Sequence, residues 1–380
     1  KHRDNKRINQ SGVSMSAELQ VSKTKLASHR VVDRAEKVLG EGEVRLSVEY
    51  FAFTANNITY GAAGDRLGYW QFFPVDNETG EDWGIIPVWG FADVSESNCA
   101  DLTVGGRVYG YFPPAASVVM LPVNCKPHSF VDGAAHRQAL PPLYNRYQRV
   151  SADASYSKEG DVPRMLLSPL HLTSYCIWDH LKQQNWFGAE LVIIVSASSK
   201  TSLGVAVALD RDDAAPTVVG LTSQANKQFV ADTTLYAAAI AYDEIAALLE
   251  KKSAVIVDMA GNPNVRHALQ AQLGDQLQHY ISVGLTHWDE EAKGSAGDAS
   301  LVPIKSQEMF FAPTYILERM KTLAPGEFEK NSSDYLKAAT EATFGWMEVK
   351  ELGGIEALAE LYPSFVEGTL PPSAGYVVKL

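Results

Sequence analysis

The stretch LVIIVSASSKTSLG, Leu191 to Gly204, decides how the chain is read. Five β-prone apolar residues, Leu191 to Val195, break into small polar residues and resume as the helix-like SLGVAVALD. A buried strand that feeds a helix through a small-residue turn presents backbone N–H groups and a helix N-terminus to a phosphate. Lys200 stands in that turn where a dinucleotide fingerprint would have glycine. From the residues alone, the turn is either a cofactor site or a tight connection with a solvated lysine. A P-loop does not fit, because no glycine directly precedes Lys200 and none sits six positions earlier.

Around this stretch, strand and helix patterns alternate. LSPLHLTSYCIWDHLKQQ carries apolar residues at helical spacing, with Pro169 suited to a first turn. Then come LVIIVS, a helix over Leu203 to Asp210, TVVGLTS, a helix near Asn226 to Asp232, and a short AIAY. A helix over Glu244 to Lys251, AVIVDMAG, a helix over Val265 to Leu273 and HYISVGL follow. Such alternation predicts βαβ units and a parallel sheet. From Glu18 to about Val150 the pattern is instead short strands with many turns. GEVRLSVEYFAFT alternates Val44, Leu46 and Val48, and PVWGFADVSES, GRVYGYF and SVVMLPV are further strands of a compact β barrel or sandwich. The aromatic insertion Gly64 to Gly84 is either a substrate cover or a packed surface loop. Two or three helices and the strand GYVVKL close the chain.

Bulk properties narrow the function classes. At 380 residues, with 46% hydrophobic and 21% charged residues, the chain reads as an ordinary globular protein of two domains. A formal charge of −12 argues against nucleic acid as a partner, since phosphates demand a basic face. Three cysteines, Cys99, Cys125 and Cys176, are too few and scattered for a disulfide framework or a zinc knot, which points to a reducing cytoplasm. No apolar stretch approaches the roughly 20 residues that span a bilayer, so no membrane partner is expected. Residues 1–14 are polar and patternless and precede Met15, and are expected to be a leader or tag outside the fold.

The order of these segments resembles the medium-chain dehydrogenase/reductase superfamily, in its zinc-free quinone-oxidoreductase and enoyl-reductase branch. GEVRLSVEYFAFTANNITYGAAG is similar to the strand and loop that reach that family's active site, and PVWGFADVSESNCADLTVGGRVYGY to its strand pair with a "GDRV" turn. LTSYCIWDHL resembles its "TAY" helix, and GYVVKL its closing strand. The resemblance implies an α/β protein: a GroES-like β-barrel domain plus a Rossmann-type doubly wound parallel sheet domain. The domains would be 15–150 (GroES-like, substrate and catalysis), 151–320 (Rossmann-type, cofactor) and 321–380 (helices and a final strand returning to the N-terminal domain). A homodimer is implied in the same way.

Departures from the family refine the expectation. Zinc-dependent members carry a thiolate near the position of Asn57 and a histidine within the triplet where Gly90, Phe91 and Ala92 stand; neither replacement binds zinc well, so no metal is expected. In the turn, Ser196, Ser198, Ser199, Thr201 and Ser202 replace glycine contacts with hydroxyl donors, and Lys200 offers a point charge to a phosphate. No carboxylate ends TVVGLTS; Thr222, Ser223 and nearby Lys227 suit a 2′-phosphate, hence NADP(H), although Lys227 also reads as a solvated helix residue. By resemblance Tyr242 lies near that phosphate, Asp258 and Gly261 line the cofactor cleft, and Thr173 flanks the nicotinamide; Gly284 is a further expected cofactor contact. Asp258 reads equally as a turn or helix cap.

Hydride transfer asks the protein for an oriented acceptor and a donor to the developing charge. Tyr60 is the expected proton donor by resemblance, with Asn56 and Asn57 orienting a substrate carbonyl; packing and a turn are their other readings. Trp70, Phe72, Phe310 and Phe311 are expected to wall a pocket for an apolar or aromatic small molecule, or else to be core. The implied function is an NADPH-dependent, zinc-free reductase of an activated C=C bond or quinone-like carbonyl. A lyase with a retained nicotinamide cofactor, or a non-catalytic nucleotide-binding or structural protein on the same fold, remain as alternatives.

Overall fold

A computed structural model describes residues 7–8, 14–75, 82–154, 156–248, 250–283 and 306–380. The chain forms two compact units, Lys1–Leu166 with Glu348–Leu380, and Leu167–Met347. Sequence patterning sets the borders near 150 and 320; the observed limits fall at 166 and 347.

In the second unit, six parallel strands form one sheet in the order Ala238–Ala241, Thr217–Thr222, Leu191–Val195, Ala254–Asp258, Leu277–Ser282, Gln307–Met309. In chain order this reads 3-2-1-4-5-6, the doubly wound arrangement, with its reversal between Leu191–Val195 and Ala254–Asp258. Alternation along one strand explains the two covered faces. Val192 and Ile194 pack with Cys176, Val205, Val257 and Ile281, whereas Leu191, Ile193 and Val195 pack with Leu221, Ile256 and Leu269. All five strand residues are buried, so no polar face exists to meet water.

The helix after the first strand spans Lys200–Asp210, beginning earlier than its apolar pattern suggests because the Ser199 hydroxyl caps it by accepting from the Ser202 N–H at 3.1 Å. Asn262 caps Pro263–Leu273 in the same way, with Pro263 in the first turn. Pro169 differs from expectation: it lies inside the 23-residue helix Asp161–Gln183 instead of starting it, because the helix begins eight residues earlier. The strand Gln307–Met309, short and exposed at the sheet edge, has no sequence pattern that announces it.

In the first unit the main sheet runs Glu348–Gly353, Ala374–Lys379, Val44–Phe53, Val88–Ser97, Arg107–Phe112, Arg146–Arg149, Ser129–Asp132, Pro122–Lys126, with Ser117–Met120 also on Val44–Phe53. The closing strand Ala374–Lys379 pairs antiparallel with Val44–Phe53, Tyr376 opposite Phe53. A second sheet holds Ser14–Ser22 between His29–Ala35 and Arg7–Ile8, with Trp83–Gly84 on Ser14–Ser22. The opening segment is thus not wholly outside the fold, since Arg7 and Ile8 pair with Met15 and Ser14. The architecture is α/β, a GroES-like β domain and a Rossmann-type domain. No helix among the described residues is long and apolar enough to cross a membrane.

Candidate nucleotide site

The carboxyl end of Leu191–Val195 is where the second unit concentrates its polar side chains. Ser196 takes a φ of +61°, which turns the chain out of the strand, and Tyr242 hydrogen-bonds to its backbone and side chain. Ser198, buried, accepts from the Thr222 hydroxyl at 3.4 Å and the Asn226 amide at 3.2 Å. Ser199 donates to the Ser202 hydroxyl at 2.8 Å, and the Thr201 carbonyl accepts from Ser174 at 2.7 Å. Ser196, Ser198, Ser199, Thr222 and Tyr242 are therefore brought together, but most of their hydroxyls satisfy one another or the backbone.

Lys200 is the first residue of an 11-residue helix whose first turn holds no acid. A cation there meets the positive end of the macrodipole. Burial also pushes the Lys200 ammonium down to about 8, so it is partly neutral near physiological pH and gains from an anion. The helix sits close to its neighbour because residue 204 is glycine: a Cβ there would lie 2.5 Å from Ser174 Oγ and 2.9 Å from His171 Cδ2.

At the end of Thr217–Thr222 the picture differs from expectation. Ser223 flanks a short turn, and Lys227 is ion-paired to both Glu244 oxygens at 2.8 and 2.6 Å, so its charge is already answered. Glu244 in turn accepts from the Ala241 N–H at 2.9 Å and is held below the usual carboxylate range chiefly by Lys227. Asp258 is a turn residue: one oxygen accepts from the Ala260 and Gly261 N–H groups at 2.8 and 3.0 Å, the other from Tyr280 at 2.6 Å. Thr173 donates to the Pro169 carbonyl at 3.2 Å. Phe310 is core, packed on His180 and Tyr315, and Phe311 occupies the extended position just before the helix Ala312–Met320. Gly284 lies outside the described residues.

The other expected residues belong to the first unit. Tyr60, on the helix Ala55–Ala62, is buried in an aromatic cluster with Tyr69, Tyr111 and Tyr144 at centroid distances of 4.7, 5.7 and 6.3 Å. Its oxygen accepts from the Trp89 indole at 3.4 Å, and it also hydrogen-bonds Asn56. Burial drives the Tyr60 hydroxyl well up, so it is an O–H donor and not a base. Tyr111 is fully buried and its hydroxyl has no hydrogen-bond partner among the described residues. Tyr111 and Tyr144 escape residue-by-residue reading, although the alternation in RVYGYF places Tyr109 and Tyr111 on one face.

Asn57 corrects the expectation of a substrate-orienting amide. Its oxygen accepts from the Thr54 N–H at 2.8 Å and the Thr54 hydroxyl at 3.1 Å, and its NH₂ donates to the Pro87 carbonyl at 2.9 Å. The side chain is spent on starting a helix and tying it to a neighbouring segment. Phe72 is fully buried edge-on to Tyr111 at 5.2 Å, and Trp70 lies over Gly64, where a Cβ would fall 2.1 Å from its Nε1. Phe72 belongs to the aromatic cluster and also lines a cavity with Phe73 and Arg137, while Trp70 packs on Gly64 and Gly84 and lines a second cavity.

Solved structures share this fold. CurA from Vibrio vulnificus, solved in complex with NADPH, is 11% identical with a TM-score of 0.60, covering 96% of this chain and 98% of that one. The CurK enoyl reductase is 13% identical at a TM-score of 0.54, covering 96% and 99%. The yhdH oxidoreductase from Salmonella enterica, solved with NADP, is 13% identical at 0.52, covering 96% and 100%. At such identities the likeness establishes the fold alone. No curated protein matches the sequence. A family described as "Protein of unknown function (DUF2855)" matches residues 51–371, and the chain belongs to that family.

Proposed function

We propose that the protein is an NADP(H)-dependent oxidoreductase that reduces an activated carbon–carbon double bond or a quinone-like carbonyl in an apolar or aromatic small molecule, without a metal. One observation carries the reading: the Ser196–Ser202 turn, with half-buried Lys200, lies at the strand-order reversal of a 3-2-1-4-5-6 parallel sheet. Open α/β sheets bind ligands outside the carboxyl ends of their strands at that reversal. The residues fit a phosphate group. Lys200 supplies a cation, the first turn of its helix adds N–H groups without a competing carboxylate, and Ser196 and Tyr242 flank the turn. The bound nicotinamide would supply hydride; within the first unit, burial keeps the Tyr60 hydroxyl protonated, the state a hydrogen-bond donor needs. CurA, solved with NADPH, and the CurK enoyl reductase lend support by fold.

The second reading, a protein that keeps the fold without using a nucleotide, is favoured by the closed hydroxyl network of Ser198, Ser199, Ser202 and Thr222. Calorimetric titration with NADPH and with NADH separates the two. Saturable NADPH binding is expected, and no heat with either nucleotide at about 1 mM, a regime weaker than about −4 kcal/mol, would sink the oxidoreductase proposal. Once NADPH binding is in hand, a screen of quinones and enones for NADPH oxidation finds the substrate, and undiminished turnover in Tyr60→Phe removes Tyr60 from the chemistry.

A further inference from the structure

A cluster in the first unit has no part in hydride chemistry. After the strand Val88–Ser97, the Ser97 hydroxyl donates to the Cys99 and Leu102 carbonyls at 3.0 and 2.6 Å and accepts from the Cys99 N–H at 3.2 Å. One side chain thereby fixes the turn that carries Cys99 and Asp101. Cys125 arrives from Pro122–Lys126, whose register against Ser129–Asp132 runs from Lys126↔Ser129 to Val123↔Val131. Three steps on one strand face two on the other, which is a bulge at Asn124 and Cys125, and Asn124 takes a φ of +52°. Bulges re-aim side chains, and a positive φ on a non-glycine residue is tolerated only where its surroundings impose it.

These two devices bring the Cys99 and Cys125 sulfurs and an Asp101 carboxylate oxygen within 4.8 Å of one another. The two cysteines are partly exposed and Asp101 is exposed, so an ion in solution has access. Two sulfurs and a carboxylate oxygen at this spacing can converge on one divalent cation. Paired sulfur donors select zinc-class ions over magnesium or calcium. With Zn–S bonds of about 2.3 Å, tetrahedral donors stand about 3.8 Å apart, roughly 1 Å inside the observed limit and within reach of surface side-chain rotation.

We infer that Cys99, Asp101 and Cys125 form a three-ligand site for a thiophilic divalent cation such as zinc, with water completing the tetrahedron. The ion clips the turn after Val88–Ser97 to the bulged strand Pro122–Lys126. A disulfide would leave the Asp101 carboxylate without a role.

The test uses the full chain, reduced, stripped with chelator and titrated with Co²⁺ alone. One equivalent producing thiolate-to-cobalt absorption in the near ultraviolet, displaced by Zn²⁺, is the expected result. Cys99→Ser and Cys125→Ser should each abolish that absorption, and Asp101→Asn should weaken binding by about tenfold. No Co²⁺ uptake, a signal that persists in Cys125→Ser, or unchanged affinity in Asp101→Asn overturns the site. The unmutated protein gives a check free of folding artefacts. Cys176 is buried, so alkylation reads Cys99 and Cys125, and both should be shielded by Zn²⁺. Equal labelling with and without Zn²⁺ refutes the proposal, as does an intact mass short by two hydrogens that reductant restores.

Discussion

Two neighbouring strands of the parallel sheet, Leu191–Val195 and Thr217–Thr222, each hand the chain to a helix that begins with a lysine, and the two lysines fare differently. Lys227 is answered by both oxygens of Glu244. Burial takes the Lys200 ammonium down to about 8. A paired cation has little left to give a ligand, because binding must first undo the pair. A desolvated cation at a helix N-terminus gains whenever an anion arrives. Of two residues chosen for the same chemistry, the second already has its charge answered by a carboxylate.

The most disruptive way to break this contrast is to move the first helix while leaving the second strand end alone. Gly204→Val would drive a branched side chain into Ser174 and His171, where even a Cβ falls at 2.5 and 2.9 Å. We expect a loss of about 3 kcal/mol, a Tm lower by roughly 6–12 °C. A thermal melt that matches the native protein would mean that the close approach at residue 204 does not hold the turn.

Next in size is Lys200→Met. It should weaken NADPH and NADH alike by about tenfold or more, because the pyrophosphate is common to both and a charge-assisted hydrogen bond contributes about 1.5–3 kcal/mol. It should also stabilise the free protein. Burial depresses the folded-state value from 10.5 to about 8, so the unfolded chain binds more protons across that interval. The native protein therefore carries its full penalty below about 8 and recovers stability as pH rises towards 10.5; in Lys200→Met this gain should vanish. Binding runs in the opposite sense: NADPH affinity of the native protein should fall as pH rises through about 8, and the variant should show no such fall. Calorimetry and melting across pH 7–10 read both slopes, and parallel slopes in native and variant protein would exclude Lys200 as the phosphate cation.

The legible parts of the molecule are those whose cause is local. LVIIV, TVVGLT and AVIVD announce themselves because each strand is covered on both faces, and GEVRLSVEYFAFT because alternation along one strand survives in the sequence. The helix after the first strand was legible from Leu203 on, but its first turn was not, since that turn depends on the Ser199 cap and not on an apolar pattern. What stayed hidden depends on partners far along the chain. Glu244 meets Lys227 17 residues away only because a third strand returns parallel to the second. Asn57 finds the Pro87 carbonyl 30 residues on, which turned an apparent substrate contact into a structural tie. Cys99 and Cys125 look scattered until a bulge aims one at the other.

The finest test acts on the paired lysine itself. If Glu244 is what silences Lys227, then Glu244→Gln should release it, and the ratio of NADPH to NADH affinity should rise by about threefold to tenfold, the scale of one partly exposed ionic contact. Lys227→Ala should then change that ratio by less than about threefold, because the charge it removes was already neutralised. The double variant should behave like Lys227→Ala alone. A large loss of NADPH selectivity in Lys227→Ala would show that the ligand displaces Glu244 and recruits the lysine on binding. The two strand ends would then share the work of holding the nucleotide, and the contrast between them would describe only the ligand-free protein.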